Sequence, residues 1–324
     1  MLDYSIIIRT TGKAGEKYAR LLASITSLEP QPQEIIVVLP KGCDPPKETL
    51  GRENIYYCKK GMVTQRLYGI NKCKSRYALI TDDDIAFESD FILKLSAPVV
   101  SGKYGFSAGP LINFFPKPGL QTLCSMLIGT GMPTLFHRDY YNTVLKTTGY
   151  SFNRHIKIGS NQLYETQSAP WTCFFADMDA MRKIHFEDEL WLDKCGYSAH
   201  DDTAMFYKAW LYGCKAVIVA DAPYEHLDGK TSTRGNHEKV EYASGFNTVI
   251  FWHRFLYARE RNLGKIWCRI CLSYRIFMQK QFNQLNCVRG KMTQKEQQAF
   301  SNGVAAGVAW IQSDEYRHIP PVLY

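Results

Sequence analysis

The sequence predicts an α/β protein in which helices flank a mostly parallel central sheet, followed by a helical C-terminal appendage. In the first 82 residues, short β-branched runs alternate with apolar residues at helical spacing, a pattern typical of parallel sheets with crossover helices. Hydrophobic residues make up 45% and charged residues 22% of the 324 residues, which excludes a largely disordered chain. Beyond about residue 240, apolar residues recur at three- and four-residue steps.

The first elements follow in β-α-β order. Tyr4–Arg9 predicts a strand, and apolar residues at helical spacing then predict a helix that ends before Pro30. Residues 34–39 form a continuous apolar run, as expected of a strand buried on both faces. The alternation continues with a short strand, a helix and a strand at residues 55–58, 63–73 and 77–81.

The chain is less regular in its middle part. Residues 113–170 contain scattered Gly, Pro, Tyr and Asn, and so long a connection is usually functional or has short elements of its own. Periodicity returns as a strand-like run, two helices and a strand at residues 171–178, 180–184, 202–212 and 216–220. We therefore expect one domain over residues 1–240, with a loop region at about 113–170, and an appendage over residues 241–324.

The excess positive charge lies in this appendage. The chain has 39 Lys and Arg against 31 Asp and Glu, a formal net charge of +8. Residues 246–324 contain eleven Lys and Arg and four Asp and Glu, so +7 of the net charge belongs to them. The first three quarters of the chain are therefore almost neutral.

The cysteine pattern and the N-terminus favour a cytoplasmic protein. Among ten cysteines the one short pair, Cys268 and Cys271, lies in a helical pattern, so we expect reduced thiols, with a structural zinc site as the minor alternative. The first residues lead directly into a strand, without the basic and apolar regions of a signal peptide. No apolar run reaches the roughly 18 residues of a spanning helix. We expect neither a signal peptide nor a membrane span.

Three adjacent acids follow the strand at residues 77–81. Asp82, Asp83 and Asp84 repel one another unless they are solvated or bind a cation, so a solvated turn and a metal site are both open. Because alternate side chains of an extended chain point the same way, Asp82 and Asp84 could share one Mg²⁺ or Mn²⁺ with substrate phosphates. The position at the end of a buried strand, where α/β sheets bind ligands, favours the metal site.

A second acidic site opens a later helix. Asp201 and Asp202 either cap this helix and interact with its dipole, or present a carboxylate to a cleft as a general base. His226 follows the strand at residues 216–220 and is either a structural histidine or a metal ligand. The residue types alone leave both alternatives open at each position.

Together these elements resemble one family. The matching set consists of Arg9-Thr10, the strand at 34–38, Gln65-Arg66, the acids at 82–84, the segment at 186–189, His200-Asp201-Asp202 and His226. In order and approximate spacing the chain resembles the inverting GT-A glycosyltransferases of family 2, which build bacterial surface polysaccharides, over about residues 4–230. The resemblance implies a Rossmann-like GT-A fold, transfer of a sugar from a nucleoside diphosphate sugar to an acceptor hydroxyl, and Mn²⁺ or Mg²⁺ as cofactor.

The resemblance also implies a role for each matching residue. Asp202 would be the catalytic base with Asp201 beside it, and Asp84 and His226 would hold the metal. The donor-binding set would be Thr10, Thr11, Arg66, Asp82 and Asp83. The acceptor-side set would be Trp171, Asp177 and His200. Asp44 is the candidate reader of the nucleotide base, because this chain lacks the Asp with which the family usually ends its second strand.

The appendage has the pattern of a basic amphipathic helix rich in aromatic residues between Ile266 and Phe282. Such a helix either attaches to an anionic membrane surface or packs on the domain with its charges in water. We expect a nucleoside diphosphate sugar, a glycan or lipid-linked acceptor and an anionic membrane surface as partners, at the inner face of the cell membrane. Basic and aromatic residues could also bind single-stranded nucleic acid, but the acidic clusters oppose phosphate, and we expect no such partner.

Two other function classes fit part of the pattern. A nucleotidyltransferase acting on sugar phosphates would share the metal carboxylates, although residues 10–15 resemble its Gly-rich phosphate loop only weakly. A non-catalytic carbohydrate-binding protein would use aromatic side chains but would need neither the acids nor the base. The aromatic residues that could contact a sugar, or pack a small core of their own, are Phe114, Phe115, Phe136, Tyr140, Tyr141, Tyr150, Phe152 and Tyr164.

Overall fold

The computed structural model describes residues 2–112, 119–129, 139–147, 150–227 and 236–322. Its strands are β1 (Tyr4–Arg9), β2 (Glu34–Pro40), β3 (Glu53–Cys58), β4 (Tyr77–Asp82), β5 (Ile85–Ala86), β6 (Phe106–Ala108), β7 (Tyr140–Val144), β8 (Tyr150–Phe152), β9 (Leu163–Thr166), β10 (Cys173–Asp177), β11 (Ala216–Val219) and β12 (Glu225–His226). Its α-helices are α1 (Glu16–Ser27), α2 (Met62–Lys72), α3 (Phe91–Val100), α4 (Leu120–Ile128), α5 (Met178–Lys183), α6 (Asp201–Leu211), α7 (His237–Phe251), α8 (Leu263–Val288), α9 (Gln294–Trp310) and α10 (Asp314–Arg317). A 3₁₀-helix covers Phe186–Asp193, and a π-helix at Trp252–Leu256 continues α7.

Ten of the described strands form one mixed sheet with the order β3-β2-β1-β4-β10-β6-β11-β9-β7-β8. The first four strands in this order are parallel to one another. β10 then runs antiparallel to both of its neighbours, and parallel and antiparallel pairs alternate from β6 to β8. The carboxyl ends of the four parallel strands therefore lie together along one edge, beside a strand that runs the opposite way.

Helices cover both faces of the parallel half. Because strand side chains alternate, Ile6 and Ile8 of β1 face one core together with Leu21 of α1, while Ile7 faces the other core together with Val63 of α2. The continuous apolar runs of β1 and β2 are thus buried on both sides. α2 therefore packs on one face of the parallel half of the sheet, and α1 packs on the other.

The predicted fold class is confirmed, and every element predicted in the first 82 residues lies within two residues of its expected bounds. The irregular region at residues 113–170 differs more from its prediction. Its described residues form α4 and the strands β7, β8 and β9, which extend the sheet at its far edge. Residues 113–118, 130–138 and 148–149 of this region lie outside the described part.

The C-terminal helices share a core with the sheet. Phe246 and Phe251 of α7 are buried in one continuous cluster with Phe174 of β10. α7 and α9 approach closely, because a Cβ atom on Gly303 would stand 2.0 Å from the backbone oxygen of Tyr242. The boundary expected at residue 240 therefore separates two sequence segments that fold around the same core.

α8 presents two different sides. Cys268, Cys271 and Leu272 face the protein and are buried, and both cysteines are free thiols. Many of the other apolar side chains of this helix are exposed. In the described part of the chain, no helix is long and apolar enough to cross a membrane.

A carboxylate of the 3₁₀-helix fixes the amino end of α2. Asp193 accepts hydrogen bonds from the backbone N–H groups of Val63 at 3.2 Å and Thr64 at 2.8 Å, across about 130 residues of sequence. It thereby satisfies two of the N–H groups that a helix start leaves without intrahelical partners. The orientation of α2, and of the side chains it carries, depends on this long-range cap.

A fully buried carboxylate joins the 3₁₀-helix to the C-terminal part of the chain. Glu189 accepts two hydrogen bonds from Arg254, at 2.6 and 2.8 Å, and one from Trp191 Nε1 at 2.6 Å. The Lys208 ammonium of α6 lies 2.8 Å from its other oxygen. Burial raises the pKa of Glu189, but Arg254 and Lys208 outweigh this effect and hold it below the ordinary value. These four residues are called the Glu189 cluster below.

Candidate active site

The three adjacent acids lie where β4 ends. Asp82 is the last residue of β4 and stands in register beside Arg9 of β1. Its Oδ1 accepts hydrogen bonds from Arg9 Nε at 2.9 Å and from Arg66 Nη2 at 2.7 Å. Asp82 is buried, and two guanidinium groups compensate its charge. Oδ1 of Asp82, a predicted donor-binding residue, is thus used in hydrogen bonds within the protein.

Asp83 is tied to the loop that follows β1. Its Oδ2 accepts a hydrogen bond from Thr10 Oγ1 at 2.5 Å. Burial raises the pKa of Asp83 to about 6, although this hydrogen bond and the charge of Arg9 oppose the rise. Gln65 of α2 donates hydrogen bonds to the carbonyl groups of Thr10 and Val38, at 3.0 Å each. The first loop is therefore fixed between α2, β2 and the acids.

A two-stranded sheet brings Asp84 and His226 together. β5 begins directly after Asp84, and β12 pairs with it so that His226 stands opposite Ile85. His226 Nε2 lies 3.2 Å from Asp84 Oδ2. The backbone N–H of Leu227 donates a hydrogen bond to the Asp84 carbonyl at 2.7 Å. The imidazole is thus beside the carboxylate with which the resemblance paired it.

The Asp84–His226 pair offers one carboxylate and one imidazole to a divalent cation. Carboxylate oxygen suits both Mg²⁺ and Mn²⁺, and imidazole is a common ligand of transition metals. Within the described ranges, no group of three or more His, Cys, Asp or Glu side chains could hold a metal ion. Asp84 and His226 are therefore the two residues at this position that could hold a divalent cation.

Asp201 and Asp202 are the first two residues of α6. Asp201 Oδ1 accepts a hydrogen bond from the Asp202 N–H at 2.9 Å, and Asp202 Oδ1 accepts one from the Thr203 N–H at 2.6 Å. Burial raises the pKa of both carboxyl groups above their usual range, and the positive charge of Arg66 opposes this rise. A carboxylate with a raised pKa can take up a proton near neutral pH, which is what a general base requires.

Arg66 connects the two acid clusters. While its Nη2 binds Asp82, its Nη1 lies 3.5 Å from Asp201 Oδ2. The side chain is almost completely buried, and its guanidinium carbon lies 4.3 Å from the centre of the Trp171 ring. Among the described residues, its Nε and Nη1 have no hydrogen-bond partner, and neither has Trp171 Nε1. Arg66 thus forms ion pairs with both acid clusters, and its Nε and Nη1 keep hydrogen-bonding capacity for a ligand.

Two cavities open on these residues and form the two sides of one cleft. A cavity of about 120 Å³ is lined by the predicted residues Thr10, Thr11 and Asp83. A larger cavity of about 340 Å³ is lined by the predicted residues Arg66, Asp82, Trp171, Asp201 and Asp202. Met62 and Tyr197 line both cavities. The cleft therefore runs from the first loop, past Asp82 and Arg66, to the start of α6.

Two residues expected on the acceptor side do not line the cleft. Asp177 stands in register with Tyr77, the first residue of β4, and therefore lies at the opposite edge of the sheet. It caps α5 by accepting a hydrogen bond from the Asp179 N–H at 2.8 Å. His200 turns towards α7, where its Nε2 lies 2.9 Å from Thr248 Oγ1. Burial lowers the pKa of His200 to about 4, so this histidine is neutral at pH 7.

Several cleft residues were not predicted from the sequence. Lys60 and Lys239 place two positive charges beside the smaller cavity. The adjacent pair Lys59-Lys60, just before α2, was a sequence signal for an anionic ligand. Tyr197 had no comparable signal, because its position depends on the fold around α6. Asp44, the candidate reader of the nucleotide base, is exposed and lines neither of these two cavities.

The aromatic residues expected near the acceptor divide between the cleft and the core. Tyr141 and Phe152 line the larger cavity and pack edge to face, with ring centres 5.8 Å apart. Tyr164 is buried in the core, and Tyr140 is half-buried at the edge of β7. Outside the described parts lie the side chain of Tyr150 and the residues Phe114, Phe115 and Phe136.

The sequence matches no protein-family model and no curated protein, whereas solved structures match the fold. Residues 1–349 of S. aureus TarS are 13% identical with a TM-score of 0.53, and the match covers 96% of this chain and 81% of that chain. The same protein in complex with UDP-GlcNAc gives 13% identity and a TM-score of 0.52, with 95% of this chain and 81% of that chain covered. GalNAc-T7 with UDP, GalNAc and Mn²⁺ is 12% identical with a TM-score of 0.50, over 99% of this chain and 58% of that chain.

These likenesses define the class of fold. TarS and GalNAc-T7 are GT-A glycosyltransferases, and the chain shares their mostly parallel central sheet with flanking and C-terminal helices. The chain therefore has the GT-A glycosyltransferase fold. At 12–13% identity the likeness extends to the fold alone, so the chemistry of the cleft follows from its own residues.

Proposed function

We propose that this protein is an inverting glycosyltransferase that moves a sugar from a nucleoside diphosphate sugar to a hydroxyl group of a glycan or of a lipid-linked acceptor, in the synthesis of a cell-surface polysaccharide. The observation that carries the proposal is the Arg66 guanidinium, which contacts both Asp82, at 2.7 Å, and Asp201, at 3.5 Å. One buried side chain thereby brings together the acid cluster suited to a metal diphosphate and the acid pair suited to a base.

The base in this reaction is Asp202. It lines the larger cavity, and its Oδ1 is held by the backbone N–H of Thr203, which fixes the plane of the carboxylate. An acceptor hydroxyl is a weak nucleophile, so Asp202 takes its proton while the hydroxyl oxygen forms a bond to C1 of the donor sugar. The bond from C1 to the diphosphate oxygen breaks at the same time. A single displacement from the opposite face inverts the configuration at C1.

The chain's own residues orient the donor. The smaller cavity, with Thr10, Thr11 and Asp83 on its wall and Lys60 and Lys239 at its edge, suits the nucleoside half of the donor. The larger cavity, next to Asp82 and Trp171, then receives the sugar. With the donor in this orientation, C1 of the sugar would lie between the diphosphate and Asp202.

Asp84 and His226 would hold Mn²⁺ or Mg²⁺. The ion would supply positive charge to compensate the charge that develops on the leaving group. TarS was solved with UDP-GlcNAc and GalNAc-T7 with UDP and Mn²⁺, which supports a nucleotide sugar and a divalent cation for a cleft on the same fold.

The same proposal includes a place in the cell. We infer a cytoplasmic protein attached to the inner face of the cell membrane. The ten cysteines are all free thiols, as suits a reducing compartment. The concentration of positive charge after residue 245 suits an anionic membrane surface.

Donor binding tests the proposal directly. The melting temperature of the protein is measured with UDP-, GDP- and dTDP-sugars, each with Mn²⁺, with Mg²⁺ and with EDTA. We expect one nucleotide class to raise the melting temperature, and the divalent ion to enlarge the rise. The protein is then incubated with that donor and with extracted glycans and glycolipids, and mass spectrometry identifies the product.

The outcomes separate the rival classes. A melting shift with nucleoside triphosphate and sugar phosphate, but with no nucleotide sugar, would indicate a nucleotidyltransferase. Shifts with free glycans alone would indicate a carbohydrate-binding protein. In either case the proposed transfer reaction is wrong.

A further inference from the structure

The outward face of α8 is apolar over most of its length. The side chains on this face recur at helical spacing from Leu263 to Phe277 and again from Leu285, with Gln281 between them, so they form one stripe, and each is between 42% and 80% exposed. They are Leu263, Ile266, Trp267, Ile270, Tyr274, Phe277, Leu285 and Val288. The opposite side of the helix already packs on the protein through Cys268 and Leu272. α8 therefore has a second apolar stripe, which is not used for packing on this core.

α4 extends this apolar surface. Its Leu120, Leu123, Met126 and Leu127 are between 38% and 76% exposed. The two helices are in contact, because the Tyr274 hydroxyl donates a hydrogen bond to the carbonyl of Leu127. The exposed side chains of α4 and the stripe of α8 are together called the α4–α8 surface. Contiguous exposed apolar surface of this kind marks an interaction site, since single exposed apolar residues are ordinary but extended patches are not.

The charged residues of α8 itself have one sign. From Arg261 to Lys295 the sequence contains eight Lys and Arg and no Asp or Glu, and α4 contains no charged residue. Arg269, Arg289 and Lys291 are among the exposed members of this set. The partner must therefore accept apolar side chains and carry negative charge.

We propose that the α4–α8 surface binds the surface of an anionic lipid membrane. An amphipathic helix with Trp, Phe, Leu and Ile on one side and Lys and Arg beside them is suited to insert its apolar side at the boundary between headgroups and acyl chains. Anionic headgroups then attract the flanking cations. A second copy of the chain fits less well, because a symmetric contact through α8 would bring two cationic faces together without acids to compensate them.

The position of the surface connects it to the cleft. Arg154 donates a hydrogen bond to Ser125 of α4 at 3.3 Å, and Phe152, two residues before Arg154, lines the larger cavity. Membrane contact through α4 would therefore lie on the side of the molecule where the acceptor is expected. The inference rests on the proposed function for this relation to the acceptor, whereas binding to lipid is independent of the reaction.

Vesicle flotation tests the proposal. The full chain is mixed with vesicles of phosphatidylcholine that contain about 30% phosphatidylglycerol. Vesicles of phosphatidylcholine alone and a sample without lipid serve as controls. We compare the wild type with the double variant Ile270→Glu, Phe277→Glu, which changes two exposed side chains of the stripe. The matched control is Leu93→Glu, Ile158→Glu, which adds the same charge at exposed apolar positions on other elements.

We expect the wild type and the control to float with anionic vesicles, and the α8 double variant to lose roughly tenfold or more of its bound fraction. Added salt should reduce wild-type binding, because it screens the attraction between cations and headgroups. The variant Arg289→Gln, Lys291→Gln should bind more weakly than the wild type. The donor-induced melting shift, measured on the same samples, should be unchanged in all variants.

Four results would overturn the proposal. The first is undiminished flotation of the α8 double variant, and the second is equal binding of the wild type to neutral vesicles. The third is a wild-type dimer in sedimentation that binds no vesicles and that the double substitution dissociates. The fourth is binding of single-stranded DNA without binding of vesicles. Since donor binding is measured separately, vesicle binding without a donor shift would refute the proposed function and leave the membrane surface intact. A donor shift without vesicle binding would refute membrane attachment and leave the proposed transfer reaction intact.

Discussion

Two buried ionic clusters in this molecule contain the same kinds of side chain and differ in how completely these are paired. In the Glu189 cluster, both carboxylate oxygens are bound, by Arg254, Trp191 and Lys208. In the cleft, Arg66 stacks on Trp171 between two acid clusters, but its Nε and Nη1 and the indole N–H of Trp171 remain without hydrogen-bond partners in the described part of the chain.

The Glu189 cluster thus uses its polar groups within the fold. The cleft keeps polar groups that could bind a ligand. Removing one partner of a completely paired buried charge is strongly destabilising, whereas a buried polar group without a partner already costs free energy. The Glu189 cluster keeps the pKa of its carboxyl group low, and the cleft raises the pKa of Asp201 and Asp202. Substitutions in the two clusters should therefore have opposite effects on stability and on activity.

The largest expected effect is on catalysis, from Asp202→Asn. Asparagine keeps the Oδ1 atom that accepts the Thr203 N–H but cannot take up a proton, so we expect kcat to fall roughly 10²–10⁴-fold. Donor binding should persist, and the melting temperature should not fall. Asp177→Asn, at the opposite edge of the sheet, is the control and should keep near wild-type kcat. A kcat for Asp202→Asn within threefold of the wild type would mean that another group is the base.

Glu189→Gln should have the largest effect on stability. It removes the carboxylate that binds Arg254 and leaves Lys208 with Asp188, at 3.3 Å, as its remaining acid, which we expect to cost about 3–5 kcal/mol of unfolding free energy. Urea unfolding followed by fluorescence measures the loss. Glu187→Gln, an exposed acid on the same 3₁₀-helix, should change stability by less than about 0.5 kcal/mol. Equal stability of the two variants would show that the buried cluster does not stabilise the fold.

Asp84→Asn should separate the metal from the rest of the cleft. If Asp84 holds the divalent ion, the donor affinity of this variant should fall at least about tenfold in Mn²⁺, which is about 1.4 kcal/mol, and should be nearly unchanged in EDTA. Titration calorimetry with the donor measures both values. A variant that keeps the full enhancement by Mn²⁺ would contradict the assignment of Asp84.

Arg66→Gln should change the pH dependence of transfer. Burial raises the pKa of Asp201 and Asp202, and the Arg66 charge limits this rise. Without that charge the two carboxyl groups stay protonated to higher pH, so the acidic limb of kcat/KM should move upwards by about one pH unit. Arg66→Lys keeps the charge and should move the limb less. A limb at the wild-type position in Arg66→Gln would show that Arg66 does not act on the acid pair.

The smallest expected effect is a gain in stability from Asp201→Asn. Since its pKa is raised on folding, Asp201 binds its proton more tightly in the folded state, and wild-type stability falls as pH rises from the unfolded pKa through the folded pKa. The variant lacks this loss and should be more stable at pH 8 by about 0.5–2 kcal/mol. The gain should shrink at pH 5. If the variant is less stable than the wild type at pH 8, Asp201 stabilises the fold, as Glu189 does.

The comparison of the two clusters also shows what the sequence could predict. β1 to β4, the acids after β4 and the pair before α6 were predictable because each depends on a local pattern, either an apolar run or acids at an element end. His226 was predicted through a resemblance, and the pairing of β5 with β12 explains why it reaches Asp84.

Other features depend on contacts between distant segments, which no local pattern reports. The segment at residues 186–189 was part of the set that matched the family, but its Glu189 is buried against Arg254 of the C-terminal part. Asp177 ends a strand that runs antiparallel to β4, and the direction of that strand places it at the wrong edge of the sheet. The direction of a strand next to a sheet reversal was thus the missing information.

The cap that Asp193 places on α2 has a consequence for how the protein is made. Arg66, which joins the two halves of the cleft, is carried by a helix whose amino end is held by a side chain that the ribosome adds about 130 residues later. An N-terminal fragment that contains β1 to β4 would lack this support. The half of the cleft that contains Arg66 therefore acquires its final shape late in synthesis, after Asp193 has emerged, and a shorter nascent chain lacks the complete cleft.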